Sequence, residues 1–288
     1  MCATIVASDS TVGGRPFGRH HPSTASPTGR ANHRSDPARR RPRDRPGATG
    51  RGRIDPVRRP FPASGGGPFV GTVAIMHHVA EPRVLYFGTP VVLISSSNED
   101  GSANLAPMSS AFWVGSSGML GLDETSQTTL NLARTGECVL NLADAGLVGA
   151  VDRLALLTGT PTVPDHKLRK GYRHEADKFG AAGLTPVPSD KVAPPRVAEC
   201  PVHLEAVVNR IHPFGEEGSG VVAIDVQVVR VHVEQDLLMA GSTRYIDPDR
   251  WDPLIMKFLE FYGGGRNLHP SRLAEGWGAP RRTPAAAS

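Results

Sequence analysis

The residues best suited to chemistry form two short polar clusters on either side of one predicted strand. In the second cluster, residues 125–132, Ser126 precedes a short helical pattern over residues 127–134 that Gly136 ends. A serine before the first turn and a glycine after the last turn are typical helix boundaries. The backbone N–H groups and the dipole at such a helix N-terminus favour an anion, for example a phosphate.

The first cluster, residues 102–111, reads S-A-N-L-A-P-M-S-S-A. Its small side chains leave main chain exposed, which allows a flat ring to lie against the strand. The alternative is purely structural. In that interpretation Ser126 only caps a helix, and the segment around Pro107 is a bulge at a sheet edge.

Motifs that would indicate other chemistry are missing from the sequence. No G-x-G-x-x-G follows a predicted strand, and neither G-x-x-x-x-G-K-[ST] nor H-E-x-x-H occurs. Ser109 and Ser116 lack the flanking elbow motif of a serine hydrolase. We therefore name no catalytic residue and expect no metal. Five dispersed histidines are expected on the surface or on strand faces: His166, His174, His203, His212 and His232.

The charge of the chain is divided unevenly. Residues 1–75 hold 13 Arg and no Lys against 4 Asp and no Glu, with 10 Pro and 11 Gly, and this composition predicts a disordered extension. It is interpreted as a nucleic-acid-binding tail, an organelle transit peptide or upstream sequence before a working start at Met76. The first lacks aromatic residues between the charges, and the proline content forbids the amphipathic helix of the second.

The remaining residues carry 19 basic and 24 acidic side chains, so the part able to fold is acidic and no nucleic-acid partner is expected. No apolar run is long enough to span a membrane, and the N-terminus lacks a secretory signal. Cys138 and Cys200 lie in apolar runs without a C-x-x-C partner, which predicts buried, reduced thiols. These features favour a cytoplasmic protein.

Residues 76–278 have the pattern of one β-rich domain, followed by a disordered tail over residues 279–288. Short strands with few helices favour a mainly β fold with peripheral helices, built as a closed or partly closed barrel. Strands are predicted over residues 90–95, 103–114, 118–122, 138–142, 202–207 and 221–233. Helices are predicted over residues 145–157 and, weakly, 253–262, and residues 161–184 form a lid or connection.

Residues 83 to about 275 resemble the flavin reductase family, whose members fold as an FMN-binding split β-barrel. The likeness lies in three segments, in the family's order. D-G-S-A-N-L-A-P-M-S at residues 100–109 is similar to the family's N-L-A-P-Y-S segment. Q-T-T-L-N-L at 127–132, with T-G-E-C-V-L-N at 135–141, resembles its phosphate-binding turn, and D-K-F at 177–179 with A-G-L-T at 182–185 matches a later block.

The resemblance implies a homodimer that binds FMN near the subunit interface and reduces flavin with NADH or NADPH, and that hands reduced flavin to a partner monooxygenase. It places a first group of residues along the flavin ring and ribityl chain: Asn104, Leu105, Ala106, Pro107, Met108, Ser109 and Ser110. A second group would hold the phosphate end: Ser126, Gln127, Thr128, Thr129 and Asn131. Because Asp123 and Glu124 precede this group, positive charge is expected from Lys178 or Arg173.

Hydride transfer between stacked rings needs little acid or base help from the protein, which is consistent with the missing catalytic motifs. Two other functions stay open. One is an FMN-binding electron-transfer or sensing protein without its own nicotinamide site. The other is a flavin-dependent oxidase or a deazaflavin-using protein on the same barrel, since a fold does not settle chemistry.

Overall fold

The computed structural model describes residues 76–269 and 271–273. The predicted extension, residues 1–75, and the predicted tail, residues 279–288, lie outside the described residues. Residues 76–80 are exposed, lie in neither helix nor strand, and are separate from the unit that begins at Glu81. That unit contains the site.

The described residues form fourteen strands and four α-helices. The strands are β1 Phe87–Pro90, β2 Val92–Ser97, β3 Ala103–Met108, β4 Ala111–Val114, β5 Ser117–Asp123, β6 Glu137–Leu142, β7 Leu157–Thr158, β8 Arg173–His174, β9 Pro186–Val187, β10 Arg196–Val197, β11 Val202–Pro213, β12 Val221–Val233, β13 Ile255–Lys257 and β14 Glu260–Tyr262. The helices are α1 Gln127–Thr135, α2 Val148–Arg153, α3 Asp165–Leu168 and α4 Lys178–Ala182, with 3₁₀ turns at Ala145–Leu147 and Gln235–Leu237.

The largest sheet has seven antiparallel strands in the order β3-β2-β6-β11-β12-β5-β4. Its edge strands β3 and β4 are consecutive in the chain, with only Ser109 and Ser110 between them. The edges of a flat sheet of this size would lie about 28 Å apart. Two residues cannot span that distance, so the sheet curls until its edges meet. The backbone N–H of Gly121 in β5 donates to Ser110 O at 2.8 Å, which extends the β4–β5 pairing into this connection.

Both faces of β2 are buried, which explains why its first three residues, Val92, Leu93 and Ile94, are all apolar rather than alternating with polar ones. One face, with Val92 and Ile94, joins a core inside the curled sheet that also contains Met108, Leu120, Leu140, Ile224 and Val226. The opposite face, with Leu93, joins a second core beneath the peripheral helices that contains Leu105, Val151, Leu154, Phe179, Leu254 and Met256.

Helix α1 packs against β2 and β3 and places Leu132 in the core inside the sheet. Ser126 is its N-cap, and Gly136 ends it with a left-handed backbone conformation at φ 70°. Both boundaries are those that the sequence predicts, because each depends on a local hydrogen bond or backbone angle rather than on distant contacts.

Three predicted elements need correction. Strand 103–114 is interrupted at Ser109 and Ser110, where the chain passes from one sheet edge to the other. The helix predicted over 145–157 is a 3₁₀ turn followed by the short helix α2, and Leu157 enters β7, which pairs in parallel with β8. The apolar spacing in this segment is satisfied by burial of Leu154 and Leu157 without a continuous helix.

The weak helix predicted over residues 253–262 is wrong. β13 and β14 form a hairpin there, and β13 also pairs with β1. Phe258 and Leu259 form the two-residue turn with φ of 48° and 75°. Such a turn normally contains Asn or Gly, so an aromatic and an aliphatic residue conceal it in the sequence.

Cys138 and Cys200 are free and buried, as the sequence predicts. Burial, together with the charge of Glu137, raises the pKa of the Cys138 thiol to about 12. Burial likewise raises the pKa of Cys200, aided by Glu199 and Asp144. Neither thiol is therefore ionised near neutral pH. Within the described part of the chain, no helix combines the length and the apolar character needed to cross a membrane.

A buried carboxylate fastens the loop between β9 and β10 to the long hairpin of β11 and β12. Glu205 accepts hydrogen bonds from the backbone N–H groups of Asp190 and Lys191, at 2.8 and 2.6 Å, and contacts His232 Nε2 at 2.6 Å. Burial opposes ionisation of Glu205, but the contacts from Asp190, His232 and Lys191 outweigh it and leave its pKa lowered. Asp190, Glu205 and His232 thus lie together, and the donors around Glu205 give the group a structural role.

Candidate functional site

A cleft opens where the end of β3 meets the start of α1. It encloses about 290 Å³ of empty space, part of it open to solvent. The segments around β7, α3 and α4 complete its walls. The lining residues are Ala106, Pro107, Ser126, Gln127, Thr128, Leu157, Thr158, Gly159, Lys167, Tyr172 and Lys178.

The N-terminus of α1 forms one wall. Ser126 Oγ accepts a hydrogen bond from the backbone N–H of Thr129 at 3.1 Å, and Thr129 Oγ1 donates to Asp123 O at 2.7 Å. These contacts fix the first turn. Because the first N–H groups of a helix have no intrahelical acceptor, the turn at Gln127 and Thr128 presents donors and positive helix potential to the cleft.

A buried network joins α1 to the strands. Asn104 Nδ2 donates to Ser96 Oγ at 3.2 Å and to Thr128 Oγ1 at 3.1 Å. Asn131 Nδ2 donates to Ser96 Oγ at 3.0 Å, and its Oδ1 accepts from Gln127 Nε2 at 3.0 Å. The two sequence clusters are therefore one hydrogen-bonded unit, and the side chains of Gln127 and Thr128 are fixed before any ligand binds.

Two buried lysines supply positive charge to the cleft. Lys178, the first residue of α4, is 3% exposed, and Lys167 of α3 is 4% exposed. Lys167 Nζ lies 3.4 Å from Asp123 Oδ2 but has no hydrogen-bond acceptor among the described residues. Asp123 is the ion-pair partner that a buried lysine needs, and the N–H groups of Lys167 stay available to an anion that enters the cleft.

Asp123 is the counter-charge beside the cleft. Its Oδ1 accepts from the N–H and Oγ1 of Thr125 at 2.8 and 2.6 Å, and its Oδ2 lies 3.1 Å from His166 Nε2. Burial alone would raise the pKa of Asp123. The Thr125 hydrogen bonds, the Lys167 ammonium and the His166 contact outweigh burial and lower the pKa to about 2. The carboxylate is therefore ionised at neutral pH.

The predicted site residues fall into four groups. Six line the cleft: Ala106, Pro107, Ser126, Gln127, Thr128 and Lys178. Asn104, Thr129 and Asn131 lie behind the wall and hold it through the hydrogen bonds described above. Leu105 and Met108 are in the two hydrophobic cores, so their side chains do not reach the cleft and contact with a ligand there would involve their main chain.

The remaining two predicted residues lie where β3 passes into β4. Ser110 Oγ contacts Tyr86 OH at 3.0 Å. Ser109 is 5% exposed, and its Oγ has no hydrogen-bond partner in the described part of the chain. Arg173, which the sequence offered as a source of positive charge, instead pairs with Glu175 at 3.2 Å and keeps a side chain that is 66% exposed.

Sequence reasoning missed Lys167, Tyr172 and the segment 157–159. These residues lie in short elements with no periodic pattern, and only the fold brings them to α1. Gly159 packs closely there: a Cβ on it would lie 2.6 Å from Asn104 Oδ1 and 3.1 Å from Gln127 Cγ. No motif marks this glycine in the sequence.

Residues 84–247 match the family of flavin reductase like domains. The chain belongs to the flavin reductase-like family. It is also similar to the uncharacterized protein YdfE of Bacillus subtilis (strain 168), with 35% identity over 188 residues, which cover 65% of this chain and 89% of that protein. The sequence resemblance stated above is thereby confirmed.

Two solved structures share the fold. The flavoredoxin of Desulfovibrio vulgaris (Miyazaki F) has 21% identity and a TM-score of 0.57, covering 69% of this chain and all of that one. A protein with a split barrel domain from Shewanella frigidimarina has 18% identity and a TM-score of 0.52, covering 64% of this chain and 86% of that one. The predicted mainly β split barrel is confirmed.

Flavin binding is implied by membership of this family, and the cleft fits the anionic end of a phosphorylated flavin. The fit rests on the buried ammonium of Lys167, whose Nζ makes no hydrogen bond to a described residue. Gly159 packs against Asn104 and Gln127 at the same wall, where a Cβ would meet their side chains. The donors there are ammonium, hydroxyl and backbone N–H groups, which suit phosphate oxygens.

Proposed function

We propose that this chain is an NAD(P)H-dependent flavin reductase that binds FMN in the cleft at the start of α1. One observation carries the proposal: the N-terminus of α1, the small-residue wall at Ala106 and Pro107, and two buried lysines meet in a single cleft. A phosphate fits the helix N-terminus and the lysines, and a flat ring fits the small-residue wall.

When bound, the flavin supplies the chemistry, by accepting hydride from the nicotinamide and passing the electrons on. The chain's residues bind and orient. Donors to the phosphate end come from Ser126, Gln127 and Thr128. Asn104 holds β3 against α1 by its hydrogen bond to Thr128.

We further propose that the chain forms a homodimer. β4 is an edge strand of the seven-stranded sheet, and its Phe112 and Val114 are 59% and 74% exposed. An exposed apolar edge strand is prone to pairing or covering by another chain. We propose that a second copy of this chain covers the strand.

Two further expectations stay predictions: that reduced flavin is transferred to a monooxygenase, and that the protein is cytoplasmic.

The proposal is tested by turnover of the purified full chain. With FMN added, oxidation of NADH or NADPH should follow flavin concentration and saturate. Absence of flavin-dependent oxidation of either nucleotide would overturn the reductase function. Bound FMN without nucleotide oxidation would instead favour an electron-transfer or sensing protein.

A further inference from the structure

We infer that residues 188–197, here called the strap, close over one face of β6 and β11, and that protonation of His203 opens this closure. The strap begins after β9 and ends with β10, and both β6 and β11 belong to the seven-stranded sheet. Neither the strap nor His203 belongs to the described lining of the cleft, so the inference does not depend on the proposed function.

The strap covers the face of the sheet that is turned away from the core inside it. Ala206 of β11 points into that core. His203 and Glu205 alternate with it along the strand and therefore lie on the opposite face. Glu205 accepts two backbone N–H groups of the strap, as described above, and Asn141 Oδ1 on neighbouring β6 accepts the N–H of Val197 at 2.9 Å. Buried polar side chains of the sheet thus hold the strap by its backbone.

His203 holds the end of the strap and can do so only as a neutral ring. Its Nε2 lies 2.7 Å from Val197 O, and because a carbonyl oxygen only accepts, Nε2 carries the proton. The side chain is 7% exposed, and Nδ1 has no hydrogen-bond partner among the described residues. A second proton would therefore create a buried charge and a buried N–H without an acceptor. Opening of the strap gives both access to water.

The surrounding charges add to this cost. Burial lowers the pKa of His203 below the ordinary histidine value, and the charges of Arg196 and His232 lower it further. The hydrogen bond to Val197 and the Glu205 carboxylate act in the opposite direction without outweighing them. The charged and titratable groups on the elements packed around His203 are Glu137 on β6, Glu205 on β11, Arg230 and His232 on β12, and Asp190, Lys191 and Arg196 on the strap.

The direction of the pH response follows from the lowered pKa. When the strap is open and His203 is in water, the ring binds a proton more tightly than when the strap is closed. Closure is therefore fully favoured above about pH 6.5, the ordinary value for histidine, and weakens as the pH falls towards the lowered value. Glu205 acts in the same direction at more acid pH, because its pKa is also lowered in the closed state.

Opening of the strap would reach beyond the strap itself. Val197 is fully buried and belongs to the core beneath the peripheral helices, together with Phe179 of α4. Release of Val197 therefore removes packing from beneath α4, the helix that begins at Lys178. Acid pH would loosen this helix before the seven-stranded sheet unfolds.

Amide hydrogen exchange of the full chain tests the inference, as protection factors at pH 7 and pH 5, which correct for intrinsic exchange rates. Protection of the Lys191 and Val197 amides should fall about 10-fold in the wild type, whereas that of Ile224 in β12 should not change. His203→Gln keeps an N–H donor for Val197 O but cannot titrate, so its strap should be equally protected at both pH values. His232→Gln is the matched control and should keep most of the wild-type response.

An NMR titration of the wild type checks the same step without a substitution. The His203 imidazole should titrate below the ordinary histidine range, and protection of the strap should be lost over the same pH interval. Constant protection of the strap from pH 7 to pH 5 would overturn the inference, as would a simultaneous loss at Ile224, which would indicate global unfolding. Equal losses in wild type and His203→Gln, or a response removed by His232→Gln instead, would overturn the role of His203.

Discussion

Asn104 Nδ2 donates a hydrogen bond to Thr128 Oγ1 at 3.1 Å and so ties the edge strand β3 to the first turn of α1. The two residues are 24 positions apart in the sequence, and both are about 2% exposed. The wall that we assign to the flavin ring and the turn that we assign to its phosphate therefore share one buried contact.

Substitution of Asn104 by Leu should lower both stability and flavin affinity. The variant keeps the side-chain size but leaves the buried hydroxyl of Thr128 without its donor and Ser96 with Asn131 alone, at a cost of about 1–3 kcal/mol in the free energy of unfolding. Because Thr128 lines the cleft, FMN binding should weaken by about tenfold or more. Urea unfolding and fluorescence titration measure the two effects.

The control for this variant is Asn209→Ala. Asn209 is exposed on β11, and its side chain makes one long hydrogen bond, of 3.4 Å to Asp225, among the described residues, so its loss should change stability by less than about 0.5 kcal/mol. If Asn104→Leu also leaves stability and FMN affinity unchanged, the hydrogen-bond network does not fix the cleft.

Gly159→Ala should disturb the cleft without unfolding the chain. The added Cβ would lie 2.6 Å from Asn104 Oδ1, closer than atoms tolerate, so the β7 segment or the network must shift. We expect FMN affinity to fall at least about fivefold. Gly149→Ala is the matched control: Gly149 is exposed in α2, an added Cβ would make only an ordinary contact of 3.7 Å with Arg153 Nη1, and alanine there should raise helix stability by about 0.5–1 kcal/mol. Identical FMN affinity in both variants would contradict the tight packing at Gly159.

The stability of the chain should depend on Asp123 at acid pH. The folded chain lowers the pKa of this carboxyl from 3.8 to about 2. A lowered pKa means that the ionised group stabilises the fold fully above about pH 4 and that this contribution disappears as the pH falls towards 2. Its size is on the order of 2 kcal/mol. In denaturant titrations, the difference between wild type and Asp123→Asn should shrink by that amount between pH 5 and pH 2, whereas a difference that stays constant would contradict the assigned pKa.

Phe112→Lys should weaken self-association. If a second copy covers β4, a charge at this exposed edge position is buried in the interface, and the dimer dissociation constant should rise at least about tenfold. Sedimentation equilibrium measures it. Leu268→Lys, at a position 82% exposed outside any strand, should leave association unchanged. A wild-type chain that sediments as a monomer at all concentrations would reject the homodimer.

Local features of the fold were predictable from the sequence. Ser126 and Gly136 mark the ends of α1 because each sets a local hydrogen bond or backbone angle. The apolar residues at the start of β2 indicate its burial. In these cases a few neighbouring residues are enough to predict the structure. The helix predicted over residues 145–157 ends too late. Leu154 and Leu157 have the three-residue spacing of a helix, but they are buried in a turn that leads into a strand.

The site was only partly predictable, for a physical reason. Ser126 and Lys178 lie in segments with helix-boundary or family patterns. Lys167 and Gly159 come to the cleft through long-range packing of short elements, and Lys167 offsets the negative charge of Asp123. Charge counted along the chain therefore missed a cation that faces the cleft.

The most direct test of flavin reductase function is an anaerobic absorbance titration of the purified chain with stoichiometric FMN. Addition of NADH or NADPH should bleach the visible absorbance of the flavin, with one nucleotide consumed per flavin reduced. If the protein binds FMN, and a chemical reductant bleaches it but neither nucleotide does, the chain does not reduce flavin with a nicotinamide and the account is contradicted.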